Sequence, residues 1–111
     1  MWRNINQLVC KTFHEKGNLV SIHSSKENSF IFQLITKVFG LADGAWIGMD
    51  TLTSKEFRWQ DRSDVKYTNW RDIEDSNYCA WIKPSITDMK WEQGYCNFAR
   101  GFVCAQPVRT N

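Results

Sequence analysis

The stretch MKWEQGYC, residues 89–96, places a tryptophan, an acid and an amide just before a cysteine. Trp91 and Cys96 are residues of the kind that build a core and close a disulfide. Between them, the oxygen atoms of Glu92 and Gln93 could hold a hard cation such as calcium. The same two residues could equally form a polar turn. Whether they belong to a metal site depends on the rest of the chain.

The composition is that of a single domain with a core of large rings. The chain has 111 residues, of which 42% are hydrophobic, and it contains six Trp, seven Phe and three Tyr. The net charge is +2 and the basic residues are scattered, so we expect no nucleic-acid partner. No apolar stretch approaches a membrane span, and the N-terminal MWRNINQLVC lacks the apolar core of a signal peptide. We therefore predict one domain over residues 1–111, with no membrane insertion by this chain.

The chain has four cysteines, Cys10, Cys79, Cys96 and Cys104. They form no Cys-x-x-Cys pair and the two histidines both lie near the N-terminus, so a zinc site is disfavoured. An even count at wide spacing favours two disulfides and an oxidising, extracellular compartment over four buried free thiols. Spacing alone leaves three connectivities open.

Two helices are predicted in the first 40 residues. The first covers residues 2–16 and ends at Gly17. The second follows the short β-type run NLVSI (18–22) and begins with Ser24 and Glu27 at capping-box spacing. Its apolar stripe, which ends before Gly40, consists of Phe30, Ile31, Leu34, Ile35, Val38 and Phe39.

The remainder of the chain alternates short aromatic segments with polar turns. The predicted strands are AWIGM (45–49), FRWQ (57–60), YCAWIK (78–83), MKWEQ (89–93) and GFVCAQ (101–106). Such a pattern is typical of an antiparallel sheet. Because the helices come first and the strands follow, the fold class is α+β.

The ordered set of motifs is more specific than any one of them. The set comprises Trp2, Cys10, GNLVSIHSSKENSFI (17–31), WIGM (46–49), FRWQD (57–61), YTNW (67–70), Cys79, MKWEQGYC (89–96) and GFVC (101–104). This order resembles the C-type lectin-like domain over nearly the whole chain. The resemblance implies two helices, two small antiparallel sheets and the disulfides Cys10–Cys104 and Cys79–Cys96. It also implies that Trp46 and Gly48 lie in the central strand, and that three tryptophans pack beneath the long loops: Trp59, Trp70 and Trp91.

One departure from the family concerns the first strand. Members of the family normally begin with a strand that precedes the first helix and pairs with the last strand, here around Phe102 to Ala105. In this chain the predicted helix starts at Trp2. Because an unpaired sheet edge is a liability, we expect that the chain is a fragment or that another segment or chain covers this edge.

A second departure concerns calcium. The resemblance implies that sugar-binding members hold the ion through Glu-Pro-Asn or Gln-Pro-Asp in the long loop, a nearby Glu, and the Asn-Asp after the tryptophan. Here the loop RDIEDSNY contains neither tripeptide, Asn77 stands where a Glu is common, and Glu92 and Gln93 replace the Asn-Asp. The oxygen-bearing side chains that remain are better explained as an ordinary solvated acidic loop than as a weak metal site. We therefore expect no cofactor, and calcium only at a degenerate site whose weak candidate ligands are Asp72, Glu74, Asp75, Asn77 and Glu92.

Catalysis is not expected. His14 and His23 are too isolated for a metal or base role, and both are predicted to be surface residues. Ser24 is better explained as a helix cap than as a nucleophile. A glycosidase-like pair of Glu74 or Asp75 with Glu92 has no cleft motif to support it.

The long-loop face is the candidate ligand surface. It consists of Arg71, Asp72, Ile73, Glu74, Asp75, Asn77, Tyr78, Lys83, Lys90 and Glu92. Mixed charge with a tyrosine and an isoleucine suits a protein partner at least as well as a sugar. The sequence thus predicts a non-catalytic extracellular recognition module, secreted or part of a receptor, that binds a protein without the calcium-dependent sugar site. The alternative is a lectin that binds glycans through a residual calcium site or without calcium, and either could be a homo- or hetero-oligomer.

Overall fold

The computed structural model describes residues 9–12, 15–38, 40–41, 44–51, 55–71, 79–83, 89–96 and 100–106. Residues 9–12 are helical, which agrees with the first predicted helix. That helix was predicted to reach residue 16, but Glu15 and Lys16 lie in a turn. The remainder of the prediction, residues 2–8 and 13–14, falls outside the described residues.

Helix α1 spans Ser25–Gln33 and continues as one π-helical turn, Leu34–Val38. The Ser24 hydroxyl accepts a hydrogen bond from the Glu27 N–H at 3.1 Å, so the predicted N-cap is confirmed. The Glu27 carboxylate in turn accepts from the backbone N–H of His23 at 3.0 Å. At the far end Gly40 has a φ of 62°, which glycine adopts without strain and which lets the Leu41 N–H return to the Ile35 carbonyl at 2.9 Å.

The predicted apolar stripe of this helix is only partly buried. Ile31 and Ile35 lie in the core, but Phe30 is 64% exposed and Val38 is 68% exposed, so the prediction is wrong for these two. For Val38 the cause is the π-helical turn: it holds more residues per turn than an α-helix, so each residue advances less around the axis. Val38 therefore does not reach the side of the helix that carries Ile31 and Ile35, and it faces solvent. Phe39 is outside the described residues.

The strands form two sheets. Their bounds are β1 Asn18–Leu19, β2 Ala45–Asp50, β3 Arg58–Trp59, β4 Cys79–Ile82, β5 Trp91–Gly94, β6 Gly101–Phe102 and β7 Cys104–Ala105. The larger sheet has the order β3-β2-β4-β5 with antiparallel neighbours, and β6 pairs in parallel with β2. Strands β1 and β7 form the small second sheet. The α+β prediction with two helices, two sheets and two disulfides is confirmed. Among the named strands of the described residues, the β2–β6 pair departs from antiparallel pairing.

Several strands are shorter than predicted. FRWQ narrows to Arg58–Trp59, and GFVCAQ is interrupted at Val103. MKWEQ becomes a strand only from Trp91, because Met89 has a φ of 50°, a left-handed conformation that cannot continue a strand. Tyr78 and Pro84, which bounded the predicted strand 78–83, are outside the described residues.

Residues 18–20 pair with the last strand, the strand whose other contacts were expected to include a further segment or chain. Asn18 pairs with Ala105 and Leu19 with Cys104. The Val20 N–H donates to the Val103 carbonyl at 2.9 Å. One side of the last strand is therefore satisfied by this chain's own backbone.

The larger sheet is buried on both faces. Alternate residues of β2 point to opposite sides, as the pleat of a strand requires. On one side Ala45, Ile47 and Met49 pack with α1 and the aromatic side chains. On the other, Trp46 packs with Cys10, Leu19, Cys79 and Cys96.

Gly48 lets the central strand approach β1 closely. A Cβ at this position would lie 2.5 Å from the carbonyl oxygen of Leu19. The Gly48 N–H donates to the Val20 carbonyl at 2.8 Å. The predicted central positions of Trp46 and Gly48 are therefore confirmed, with a steric reason for the glycine.

Both implied disulfides are present. Cys10 bonds to Cys104 with 5.5 Å between the Cα atoms, and Cys79 bonds to Cys96 with 5.2 Å. The first joins the N-terminal helical segment to β7. The second joins the start of β4 to the residues that follow β5.

Loop length predicts that the two disulfides stabilise the domain unequally. The Cys10–Cys104 bond spans 94 residues and the Cys79–Cys96 bond spans 17. Replacing the first pair by alanine is expected to lower the free energy of unfolding by about 4 to 5 kcal/mol, and replacing the second by about 3 kcal/mol. Urea denaturation followed by circular dichroism measures both. A larger loss from the Cys79/Cys96 pair would contradict the expectation.

Candidate functional site

Trp91 is the centre of an aromatic cluster beneath the candidate ligand surface. Its side chain is fully buried, and the rings of Trp59, Tyr67 and Trp70 meet it edge-on with centroids 5.6 to 5.8 Å away. Such T-shaped contacts are a favoured geometry of aromatic pairs. Trp59 and Trp70 thus both pack against Trp91. That the three tryptophans lie beneath the long loops stays a prediction, because residues 72–78 and 84–88 are outside the described residues.

A buried asparagine satisfies the indole of Trp91. Asn28 is 1% exposed, and its Oδ1 accepts from Trp91 Nε1 at 2.7 Å. Its Nδ2 donates to the Met89 carbonyl at 3.1 Å, and Asn69 Nδ2 donates to the same carbonyl at 2.9 Å. Sequence reasoning missed Asn28. The signal was present, because this polar residue stands three positions before Ile31 on the buried side of the helix.

The backbone of residues 69–71 runs beside the first residue of β5. The Trp91 N–H donates to the Asn69 carbonyl at 2.8 Å, and the Arg71 N–H donates to the Trp91 carbonyl at 2.9 Å. These two bonds form a parallel bridge between Trp70 and Trp91. Arg71 is thereby fixed opposite the residue that follows Trp91.

An ion pair occupies that position. Arg71 Nε lies 3.2 Å from Glu92 Oε1, with both side chains partly exposed. Lys90 Nζ donates to Asn69 Oδ1 at 3.1 Å, and Lys83 is exposed just after β4. The structure therefore brings Arg71, Lys90 and Glu92 of the predicted face to one end of β5. The other predicted residues of that face lie outside the described residues: Asp72, Ile73, Glu74, Asp75, Asn77 and Tyr78.

A second polar cluster joins the segment before α1 to the turn after β3. Asp61 accepts hydrogen bonds from the hydroxyls of Ser21 and Ser63, each at 2.5 Å, and from the Ser63 N–H at 2.9 Å. His23 Nε2 lies 3.1 Å from each serine oxygen. The other ring nitrogen, Nδ1, is buried, and the ring packs against Trp59 at 5.8 Å. The prediction that His23 is a simple surface residue is therefore wrong; His14 is outside the described residues.

The hydrogen-bond directions in this cluster do not resemble those of a catalytic triad. Because both serine hydroxyls donate to Asp61, each serine oxygen accepts from His23, which assigns the proton to Nε2. A serine nucleophile instead needs its histidine to accept the hydroxyl proton, with an acid holding the opposite ring nitrogen. In the described part of the chain, no group hydrogen-bonds to Nδ1. The cluster ties two segments together and activates no nucleophile.

The same contacts shift the titration of Asp61. Partial burial raises the pKa of its carboxyl, but the hydrogen bonds from Ser21 and Ser63 and the nearby His23 outweigh it. The net pKa lies below the ordinary value of 3.8. The deprotonated carboxylate is therefore the form that the folded state favours.

The comparisons with known proteins identify the family. The model of the Lectin C-type domain matches residues 2–106, and the chain belongs to the C-type lectin domain family. It is 34% identical over 108 residues to C-type lectin lectoxin-Lio1 of Erythrolamprus poecilogyrus, covering 91% of this chain and 66% of that protein. It is 36% identical over 98 residues to the low affinity immunoglobulin epsilon Fc receptor of Mus musculus, covering 82% of this chain and 27% of the receptor.

Solved structures agree with this family. The C-type carbohydrate-recognition domain of cow CD23 aligns with a TM-score of 0.74 at 26% identity, covering 95% of this chain and 78% of that chain. Domains of this family bind glycans or proteins. The chain spans less than two thirds of the curated relatives named above. Within the segments that the structure describes, no helix is long and apolar enough to cross a bilayer.

Replacing Asn28 tests its bond to Trp91. Asn28→Leu leaves the buried Trp91 Nε1–H without an acceptor, and we expect the free energy of unfolding to fall by about 2 to 3 kcal/mol. Trp91→Phe and the double variant complete a double-mutant cycle in urea denaturation. We expect a coupling energy of about 1 kcal/mol or more, and a coupling near zero would contradict the assigned bond.

The lowered pKa of Asp61 predicts a pH dependence of stability. The Asp61 carboxylate contributes its full stabilisation of the folded state above its unfolded-state pKa of about 3.8. This contribution is lost as the pH falls through that value and then through the lower folded-state pKa. Between about pH 5 and pH 2 the free energy of unfolding should fall more steeply for the wild type than for Asp61→Asn. The exposed Asp64 is the matched control, and Asp64→Asn should follow the wild type. Equal slopes for the wild type and Asp61→Asn would refute the shift.

Proposed function

We propose that this chain is a non-catalytic extracellular recognition module that binds a protein without the calcium-dependent sugar site of its family. The observation that carries the proposal is the 3.2 Å contact between Arg71 Nε and Glu92 Oε1. Glu92 and Gln93 stand where the resemblance places the Asn-Asp of the calcium site. One of the two oxygen-bearing side chains at that position is therefore already engaged by a cation of the protein itself.

The residues at this position do not fit a calcium ion. Calcium takes six to eight oxygen ligands, several of them carboxylates. Glu92 would have to exchange a guanidinium for the ion, and Gln93 offers only an uncharged amide. In the segments that the structure describes, no three His, Cys, Asp or Glu side chains lie close enough together to hold a metal ion.

The ion pair acts through charge placement more than through stability. A partly exposed pair contributes up to about 1 kcal/mol to stability. Its main effect is that the end of β5 presents a guanidinium, a neutralised carboxylate and, nearby, the Lys90 ammonium. Arginine is enriched in protein interfaces, where its planar fork gives directional hydrogen bonds. This chemistry supports a protein partner.

The relatives support both a protein and a glycan as ligands. A relative at 36% identity is named an immunoglobulin epsilon Fc receptor, a name that denotes a protein partner. The cow CD23 domain was solved in the presence of a GlcNAc2Man3 oligosaccharide. Calcium-independent glycan binding is therefore the second candidate function. The two disulfides favour an oxidising compartment, which supports an extracellular location.

Calcium should leave the thermal stability unchanged. A site with a Kd of about 10 μM in 1 mM calcium would stabilise the fold by about 2.7 kcal/mol, which raises Tm by more than 5 °C in a domain of about this size. We expect the same Tm in calcium and in EDTA by scanning calorimetry. A glycan array probed with and without calcium should show no calcium-dependent binding.

A gain-of-function variant makes the test two-sided. Arg71→Ala/Gln93→Asp removes the competing guanidinium and adds a carboxylate beside Glu92. Calcium should therefore raise the Tm of this variant more than that of the wild type or of Arg71→Ala. Arg71→Ala alone is the matched control. A calcium-dependent rise in the Tm of the wild type, together with glycan binding abolished by EDTA, would overturn the proposal. Glycan binding that persists in EDTA would instead establish the second candidate.

A further inference from the structure

Helix α1 and its π-helical turn present two large apolar side chains, Phe30 and Val38, to solvent on a surface separate from the Arg71–Glu92 site. We call it the outer helix face, and it consists of Lys26, Phe30, Gln33, Lys37 and Val38. All five side chains are exposed. The exposed fractions of Phe30 and Val38 are 64% and 68%.

The geometry of the helix places these residues on one side. Phe30 follows Lys26 by four positions, so both lie on the same face of the α-helix. In the π-helical turn each residue advances less around the axis, which moves Val38 away from the Ile31–Ile35 side and toward that of Phe30. The π-helical turn thus adds to the outer helix face a residue that an uninterrupted α-helix would place on the Ile31–Ile35 side.

Packing of the core does not account for this face. The helix is attached to the core by Asn28, Ile31 and Ile35, all of which are buried. Among the residues that the structure describes, the large exposed hydrophobic side chains are Phe30, Val38, Val65 and Tyr95. Two of these four lie on one helix. A phenyl ring left in water is stabilised when a partner covers it.

The charge of the outer helix face is positive. Lys26 and Lys37 flank the two apolar side chains. The helix has one carboxylate, Glu27, and its oxygen is held at the N-terminus by the His23 N–H at 3.0 Å and the Ser24 hydroxyl at 3.3 Å. A partner that covers Phe30 would therefore meet ammonium groups on either side of it.

We propose that the outer helix face is a docking surface for an acidic protein segment with apolar side chains. Its apolar residues would cover Phe30 and Val38, and its carboxylates would pair with Lys26 and Lys37. A bilayer is the less suitable partner, because membrane-bound helices insert their main apolar side, and here that side is buried in the core. The proposal uses none of the residues that carry the proposed recognition site at Arg71 and Glu92.

The test titrates the whole chain with a labelled peptide in which leucines alternate with pairs of glutamates. Amide shifts in NMR spectra are expected at residues 26–38, and fluorescence anisotropy gives the affinity. Phe30→Ser and Lys26→Glu/Lys37→Glu should each weaken binding by about tenfold or more. Added salt should weaken binding to the wild type, because the charged groups are exposed.

Matched controls use another exposed apolar residue and cation. Val65 is 45% exposed and its neighbour Lys66 is exposed, so Val65→Ser and Lys66→Glu should leave the affinity unchanged. Equal binding of a peptide with lysines in place of glutamates, or equal losses in the control variants, would overturn the proposal. So would the absence of saturable binding. Self-association in sedimentation that disappears in Phe30→Ser would make the partner a second copy of the chain and also overturn it.

Discussion

The hydrogen bond between Trp91 Nε1 and Asn28 Oδ1, 2.7 Å long and buried, fixes helix α1 to the first residue of β5. An indole buried without an acceptor would be costly, and so would a buried amide without partners. Asn28 meets both requirements, because its amide also donates to the Met89 carbonyl. Helix α1, the residues before β5 and β5 itself are thereby fixed to one another. Because this bond is buried, the low local dielectric strengthens it.

The position of the Arg71–Glu92 pair, the proposed recognition site, is a consequence of that arrangement. Trp91 uses its backbone to bind residues 69–71, and its side chain to bind α1. Backbone hydrogen bonds therefore fix Arg71 beside Glu92, so the ion pair does not depend on side-chain conformation alone. On the opposite face of the sheet, both disulfides and the Arg100 guanidinium, 3.5 Å from the Trp81 ring centroid, pack around Trp46. The proposed site therefore lies at the end of a sheet that is packed on both faces.

An arginine beside Glu92 differs from a metal ion in what it can recognise. A bound calcium ion offers open coordination positions, which hydroxyl oxygens of a ligand can fill. A guanidinium offers N–H donors in a plane, already partly used by the carboxylate. The planar guanidinium favours hydrogen bonds in its own plane over chelation of a ligand's hydroxyl oxygens. The likeness of the whole fold to C-type lectins is compatible with either chemistry, since the fold alone does not specify the ligand.

Most of the fold could be predicted from the sequence, because its signals are local or depend on residue type. The Ser24 cap, Gly40 at the helix end, the strand at residues 45–49 and the α+β order follow from capping, residue pattern and composition. The central position of that strand followed from the resemblance. The disulfide pairing followed only from the resemblance, since four cysteines admit three pairings. Asn28 carried a local signal too, as a polar residue on a buried stripe, and it was missed.

What the sequence by itself determined was the set of elements and the family of the chain. Tertiary structure decided which polar groups meet. Ser21 meets Asp61 and His23 meets Ser63, each across 40 residues of sequence. Arg71 meets Glu92 across 21 residues. A π-helical turn carries Val38 into solvent. Pairwise contacts over such distances depend on how the elements pack, and periodicity describes only one element at a time.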